Sequence, residues 1–198
     1  MADEIRFVSL DAAGTEDMTL TGYAIRYGSE SELLGDFKEV ISNRALDDAN
    51  MDDCYLLFNH NTDNVLANSK AGTLSLTSTA EGLYFRAELP DTTLGRDTFA
   101  LVKRGDLKAM SFAMQVEKDS WDVRQEPPVR TVERISRVRE ISIVPFPAYS
   151  STNVEAAKRS LDDIRECISC VTGKKDRSAE LAKEAESILN NIKKGNTP

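Results

Sequence analysis

With one histidine and three cysteines in 198 residues, several kinds of chemistry have little to work with. A lone imidazole cannot build a multi-histidine metal centre. An odd cysteine set (Cys54, Cys167, Cys170) makes no disulfide framework. Basic charge is also short: 25 Lys and Arg face 33 Asp and Glu, for a net charge of -8. No summed positive field is available to hold a phosphate backbone or an anionic lipid surface, so neither nucleic acid nor membrane is expected as a partner. No apolar run approaches the roughly 20 residues of a membrane span, and the opening MADEIRFVSL lacks the basic region and apolar stretch of a secretory signal. The expectation is a cytosolic protein. There is no G-x-S-x-G elbow, Walker loop or GxGxxG, so no nucleotide or other cofactor is expected.

What is present is a β-rich body. From Leu20 to Val144 short β-runs alternate with turn signals: LTGYAIRYG, CYLLFNHN, GTLSLTST, GLYFRAEL, KAMSFAMQV and VREISIV. Leu74 and Leu76 alternate, as do Leu83, Phe85 and Ala87, and the AEG at 80–82 offers a glycine turn that would join them as a hairpin. One helix is expected in TTLGRDTFALVKRG, with Leu94, Phe99 or Thr98, Leu101 and Val102 on its inner side. Lys103 and Arg104 suit its negative end and Gly105 a left-handed cap. After PFPAYSST the pattern changes. Thr152 and Glu155 are spaced as a capping box, and Ala157, Leu161, Ile164, Ile168 and Val171 follow at helical steps. A second helical stripe comprises Leu181, Ala185, Ile188 and Ile192. Residues 1–151 are thus expected to form the β domain and 152–198 a helical tail that docks or is removed.

Three residues stand out. In CYLLFNHN, alternation puts Leu56, Phe58 and His60 on one strand face, although a strand-end histidine capped by Asn59 or Asn61 explains His60 equally well. In KAMSFAMQV, Met110, Phe112, Met114 and Val116 take one face and leave Ala109, Ser111 and Ala113 on the other. A serine between two alanines leaves room for a substrate carbonyl, but it still needs a base, and read alone it is better explained as a surface or barrel-filling residue. In RVREISIVPFPAY, Val138, Glu140, Ser142 and Val144 share a face opposite Ile141 and Ile143. A carboxylate there could orient an imidazole, or simply pair with Arg137 or Arg139 at the surface.

The segments LLFNHN, MSFAM and REISIVPFPAY, in this order and after LTGYAIRYG, resemble the prohead protease family of tailed bacteriophages, related to the herpesvirus assemblin proteases. The resemblance covers about residues 20–155. It implies a mainly β, α+β fold: a closed barrel of about six to seven strands flanked by helices. It implies Ser111 as nucleophile, His60 as general base and acyl-enzyme chemistry. The herpesvirus relatives complete the triad with a second histidine, which this chain does not have. Glu140 stands in the segment where the third member falls, with Glu133 and Asp106 as other acids to consider. The implied substrate is the scaffold portion of the major capsid protein, and the protease itself, inside the assembling procapsid in the host cytoplasm. A homodimer is a further possibility that the relatives suggest.

Two rival constellations are weaker. Cys54, His60, Cys167 and Cys170 would make a Cys3His zinc set, but one cysteine pair lies within a helical stripe and lacks knuckle residues, so no metal is expected. A serine–lysine dyad through Lys103 or Lys108 is weaker than the serine–histidine pair: Lys108, three residues from Ser111 on a strand, faces the other side.

Overall fold

In the computed structural model, residues 3–9, 13–14, 17–145, 161–162 and 164–166 are described. The chain divides into Met1–Val154 and Glu155–Pro198. In the second unit the described residues are helical. Apart from Leu161 and Ile164, which are described, the two helical stripes expected of the tail lie outside the described residues.

The first unit runs β1 (Glu4–Ser9), β2 (Ala13–Gly14), β3 (Thr19–Arg26), β4 (Lys38–Ile41), β5 (Tyr55–Phe58), β6 (Asn61–Asn68), β7 (Leu74–Ser78), β8 (Gly82–Glu88), α1 (Thr93–Arg104), β9 (Ala109–Asp122) and β10 (Val129–Val144). The strands form two sheets. One has the order β1-β9-β10-β5-β6, with β4 also pairing β10; the other has the order β2-β3-β8-β7. This corrects the expected closed barrel: among the described residues no pairing joins β1 to β6 or one sheet to the other. The physical reason is the length of β10. One side pairs along its length with antiparallel β9, while the other side takes β4 and then β5 in parallel, so a single long strand supports two short ones in series.

Both sheets bury their apolar rows in one core. Ile25, Phe85 and Leu83 come from the smaller sheet, and Leu56, Met110, Phe112 and Ile141 from the larger. The hairpin read from AEG is present, with Leu74 opposite Ala87 and Leu76 opposite Phe85. Gly82 there has φ 153°, and a Cβ would lie 2.0 Å from the Ile25 carbonyl oxygen, so the position needs glycine. Helix α1 begins at Thr92, whose hydroxyl accepts from the Gly95 amide, and ends at Gly105 in the left-handed conformation (φ 84°) beside Lys103 and Arg104. Its buried residues are Gly95, Thr98 and Val102, so of the two residues considered at that turn, Thr98 is the buried one.

Strand β1 is pinned by charge. Its Arg6 reaches both Glu4 (2.6 Å) and Glu39 of β4 (2.6 Å), while Arg130 of β10 reaches Glu4 (2.5 Å), Glu39 (2.9 Å) and Asp119 of β9 (2.6 Å). The first four of these residues are buried, and each charge is met by hydrogen bonds from the others, the condition under which buried ions are tolerated. With Glu4 and Arg6 held on that side, Ile5 and Phe7 are turned to the opposite face of the sheet.

Candidate active site

That opposite face gathers the residues of interest. Across the sheet, Phe7 of β1 stands opposite Ser111 of β9, Ser111 opposite Ser142 of β10, and Ser142 beside Leu57 of β5. One step along, Ile5, Ala113, Glu140 and Tyr55 form a parallel row. As the alternation of KAMSFAMQV requires, Met110, Phe112 and Met114 point to the core and Ser111 away from it. Ser111 is nevertheless fully buried, and its hydroxyl has no hydrogen-bond partner among the described residues.

His60 reaches this face by a route that strand alternation does not describe. Strand β5 ends at Phe58, which pairs Asn61, so Asn59 and His60 are the two-residue turn of the β5–β6 hairpin. Both have positive φ (53° and 57°), the requirement of a type I′ turn. Leu56 and Phe58 pack on the core side, so His60 does not share their face, contrary to the expectation. The left-handed pair swings the imidazole over the Ser111 side, where its ring meets Phe7 edge-on at 6.2 Å. The Asn59 amide donates to the Ile143 carbonyl of β10 at 2.9 Å and fixes the turn against the strand that carries Glu140.

Glu140 arrives through a bulge. Val138 pairs Met114 and Glu140 pairs Ala113, so Arg139 is an extra residue between them. This corrects the shared face assigned to Val138 and Glu140: Val138 is in the core and Glu140 is on the Ser111 side. Glu140 Oε1 lies 2.5 Å from His60 Nδ1, and the Ser142 hydroxyl donates to Glu140 Oε2 at 3.1 Å. A carboxylate acceptor places the imidazole proton on Nδ1 and leaves Nε2 as the lone-pair nitrogen. Nε2 is buried and, like the Ser111 hydroxyl, has no hydrogen-bond partner among the described residues; the two are not hydrogen-bonded to each other.

The competing acids are engaged elsewhere. Glu133 pairs Lys118 at 2.6 Å, and Asp106 pairs Arg104. Arg139 pairs Asp3 at 2.8 Å. Cys54 is buried, and burial, with the Glu140 charge adding to it, pushes its thiol up to about 12, which makes it a protonated core residue. Cys167 and Cys170 lie outside the described residues.

Beside the imidazole opens a groove of about 530 Å3, lined by Ile5, Tyr55, Leu57, Val65 and Ala113 together with His60 and Glu140. Tyr55 and Val65 are two of the three large hydrophobic side chains left exposed among the described residues, the third being Leu33. Phe7, Tyr55 and Val65 carry no motif in the sequence that marks them for this face. Ser142 shares the face of Glu140 by alternation, but its position opposite Ser111 depends on the β9–β10 register.

The sequence profile of the caudovirus prohead serine proteases matches residues 4–166. The prohead protease of Enterobacteria phage HK97 is 31% identical over 133 residues, covering 67% of this chain and 54% of that protein, so the match spans about half the relative's length. The solved structure of the bacteriophage T4 capsid assembly protease superposes with a TM-score of 0.52 at 12% identity, covering 73% of this chain and 98% of that one, a likeness of fold. Together, the profile match over most of its length and the HK97 relative place this chain in the caudovirus prohead serine protease family.

Proposed function

We propose that the chain is a serine endopeptidase of capsid maturation, with Ser111 as nucleophile, His60 as general base and Glu140 as the carboxylate that orients the base. The observation that carries this reading is the division of labour on the imidazole. Glu140 holds Nδ1 at 2.5 Å, while Nε2 and the Ser111 hydroxyl have no hydrogen-bond partner among the described residues. A buried, unsatisfied polar atom costs about 1–3 kcal/mol, and an imidazole held at Nδ1 by a carboxylate, with its Nε2 and a serine hydroxyl left open, is what a dyad awaiting substrate retains. In ligand-free sites such contacts are often long and tighten when substrate binds.

In the proposed reaction His60 Nε2 takes the Ser111 proton as the oxygen attacks a peptide carbonyl. Glu140 stabilises the imidazolium, and His60 then protonates the leaving amine. Water resolves the acyl-enzyme by the same steps in reverse order. The peptide lies in the groove beside His60. Its lining charges are already matched, Asp3 with Arg139 and Glu140 with His60, so an apolar substrate side chain against Leu57, Tyr55 and Val65 fits better than a charged one. The substrate of this reading is the scaffold portion of the capsid protein, and the protease itself, within the procapsid.

Ser111→Ala tests it. Coexpressed with its capsid protein, the variant should fold and let shells assemble with the capsid protein uncut. Cleavage at the wild-type rate would leave the chain a catalytically silent assembly protein.

A further inference from the structure

Resting on that protease reading, we infer that Ser142 is a positioning residue that holds Glu140 in the orientation His60 needs. The site has two fully buried serines, directly opposite each other on β9 and β10. Their hydroxyls are in different states. The Ser111 hydroxyl has no hydrogen-bond partner among the described residues, whereas the Ser142 hydroxyl donates to Glu140 Oε2 at 3.1 Å. Ser142 is therefore not a spare nucleophile, because its proton is spent on the carboxylate.

Glu140 needs such a hold. Its backbone follows a bulge, so the regular ladder does not aim its side chain, and a glutamate has three torsions to fix. The contact at Oε1 leaves the carboxylate free to pivot about that oxygen; a second contact at Oε2 removes the freedom. Ser142 makes it from the adjacent position on the same face, two residues along the strand. A side chain at this place must also be small, since it stands next to the nucleophile in the cross-strand pair, where Cβ atoms are about 5 Å apart. Serine is small enough and carries a donor; alanine would keep only the size.

The test is a double-mutant cycle on the full chain, read by cleavage of purified capsid protein and by the low-field proton of His60 Nδ1, which is unambiguous because the chain has one histidine. Ser142→Ala should lower kcat roughly 10-fold with KM unchanged, and adding it to Glu140→Gln should lower kcat no further. The His60 resonance should move upfield in Ser142→Ala with the rest of the spectrum retained. Additive losses in the double variant, or an unmoved His60 resonance, would overturn the role. Should the wild type not cleave at all, the protease reading fails, and the resonance alone still decides whether Ser142 positions Glu140.

Discussion

Val138 and Glu140 stand two residues apart on β10 yet project from opposite faces of the sheet, because Arg139 is taken up in a bulge between them. The consequence is chemical. Val138 fills the core while Glu140 reaches His60 at 2.5 Å. Glu140→Gln keeps the shape but loses the charge that fixes the tautomer and balances the imidazolium, so cleavage should slow by roughly 10²–10⁴-fold. Glu133→Gln and Asp106→Asn remove partners of Lys118 and Arg104 at the surface and should leave the rate within about twofold. Equal losses in all three variants would remove Glu140 from the triad.

The β5–β6 turn predicts a conflict between stability and activity. His60 occupies a left-handed turn position with φ 57° that glycine fills without strain, at a cost of about 1 kcal/mol for an L residue. His60→Gly should therefore be inactive but more stable than His60→Ala by about that amount in urea unfolding. A His60→Ala variant as stable as His60→Gly would show that the turn stores no strain.

How far the site was legible follows from these two places. Alternation alone put Ser111 away from Met110 and Phe112, and it kept Glu140 apart from Ile141, because local period-2 patterning is intact there. It failed at His60 and Val138. A primed turn and a bulge each break the period, and neither carries glycine, the residue that signals such breaks. Helix α1 was readable to its C-terminal end because Gly105, after Lys103 and Arg104, is a local signal. The two-sheet arrangement was not: the tandem seating of β4 and β5 along β10 is a long-range pairing that no window of sequence encodes. The clamp of Arg6 and Arg130 on Glu4 and Glu39 was invisible for the same reason, since it joins residues up to 126 apart.

The groove offers a test that leaves the triad untouched. Val65 is 41% exposed on its lip, so Val65→Asp should change folding stability by no more than about 0.5 kcal/mol. If a substrate side chain packs there, peptides spanning the scissile site with a large apolar residue should lose roughly 10-fold in kcat/KM, through KM, while those with glycine at that position change little. A uniform effect on both peptides would place substrate elsewhere.

Acid should release β1 in a predictable window. Burial pushes the Glu4 carboxyl up, but hydrogen bonds and charge from Arg130 and Arg6 together outweigh it and hold the group below its ordinary 4.5. A carboxyl whose folded pKa is depressed contributes stability that is present above its unfolded value and is lost as pH falls through the folded one. The ionised Glu4 therefore stabilises the fold at neutral pH; that contribution begins to fall below about pH 4.5 and is gone only once the pH has passed its depressed folded value. Glu4→Gln removes that contribution at every pH, so it should melt lower than wild type at pH 7, and the gap in Tm should narrow as the pH is taken down toward about 3. Because Glu4 and Arg6 set which way β1 faces, the same variant should loosen Phe7 over Ser111 at neutral pH, read as faster amide exchange through Glu4–Ser9. A gap in Tm that stays constant with pH would mean that Glu4 is held by packing and not by its charge.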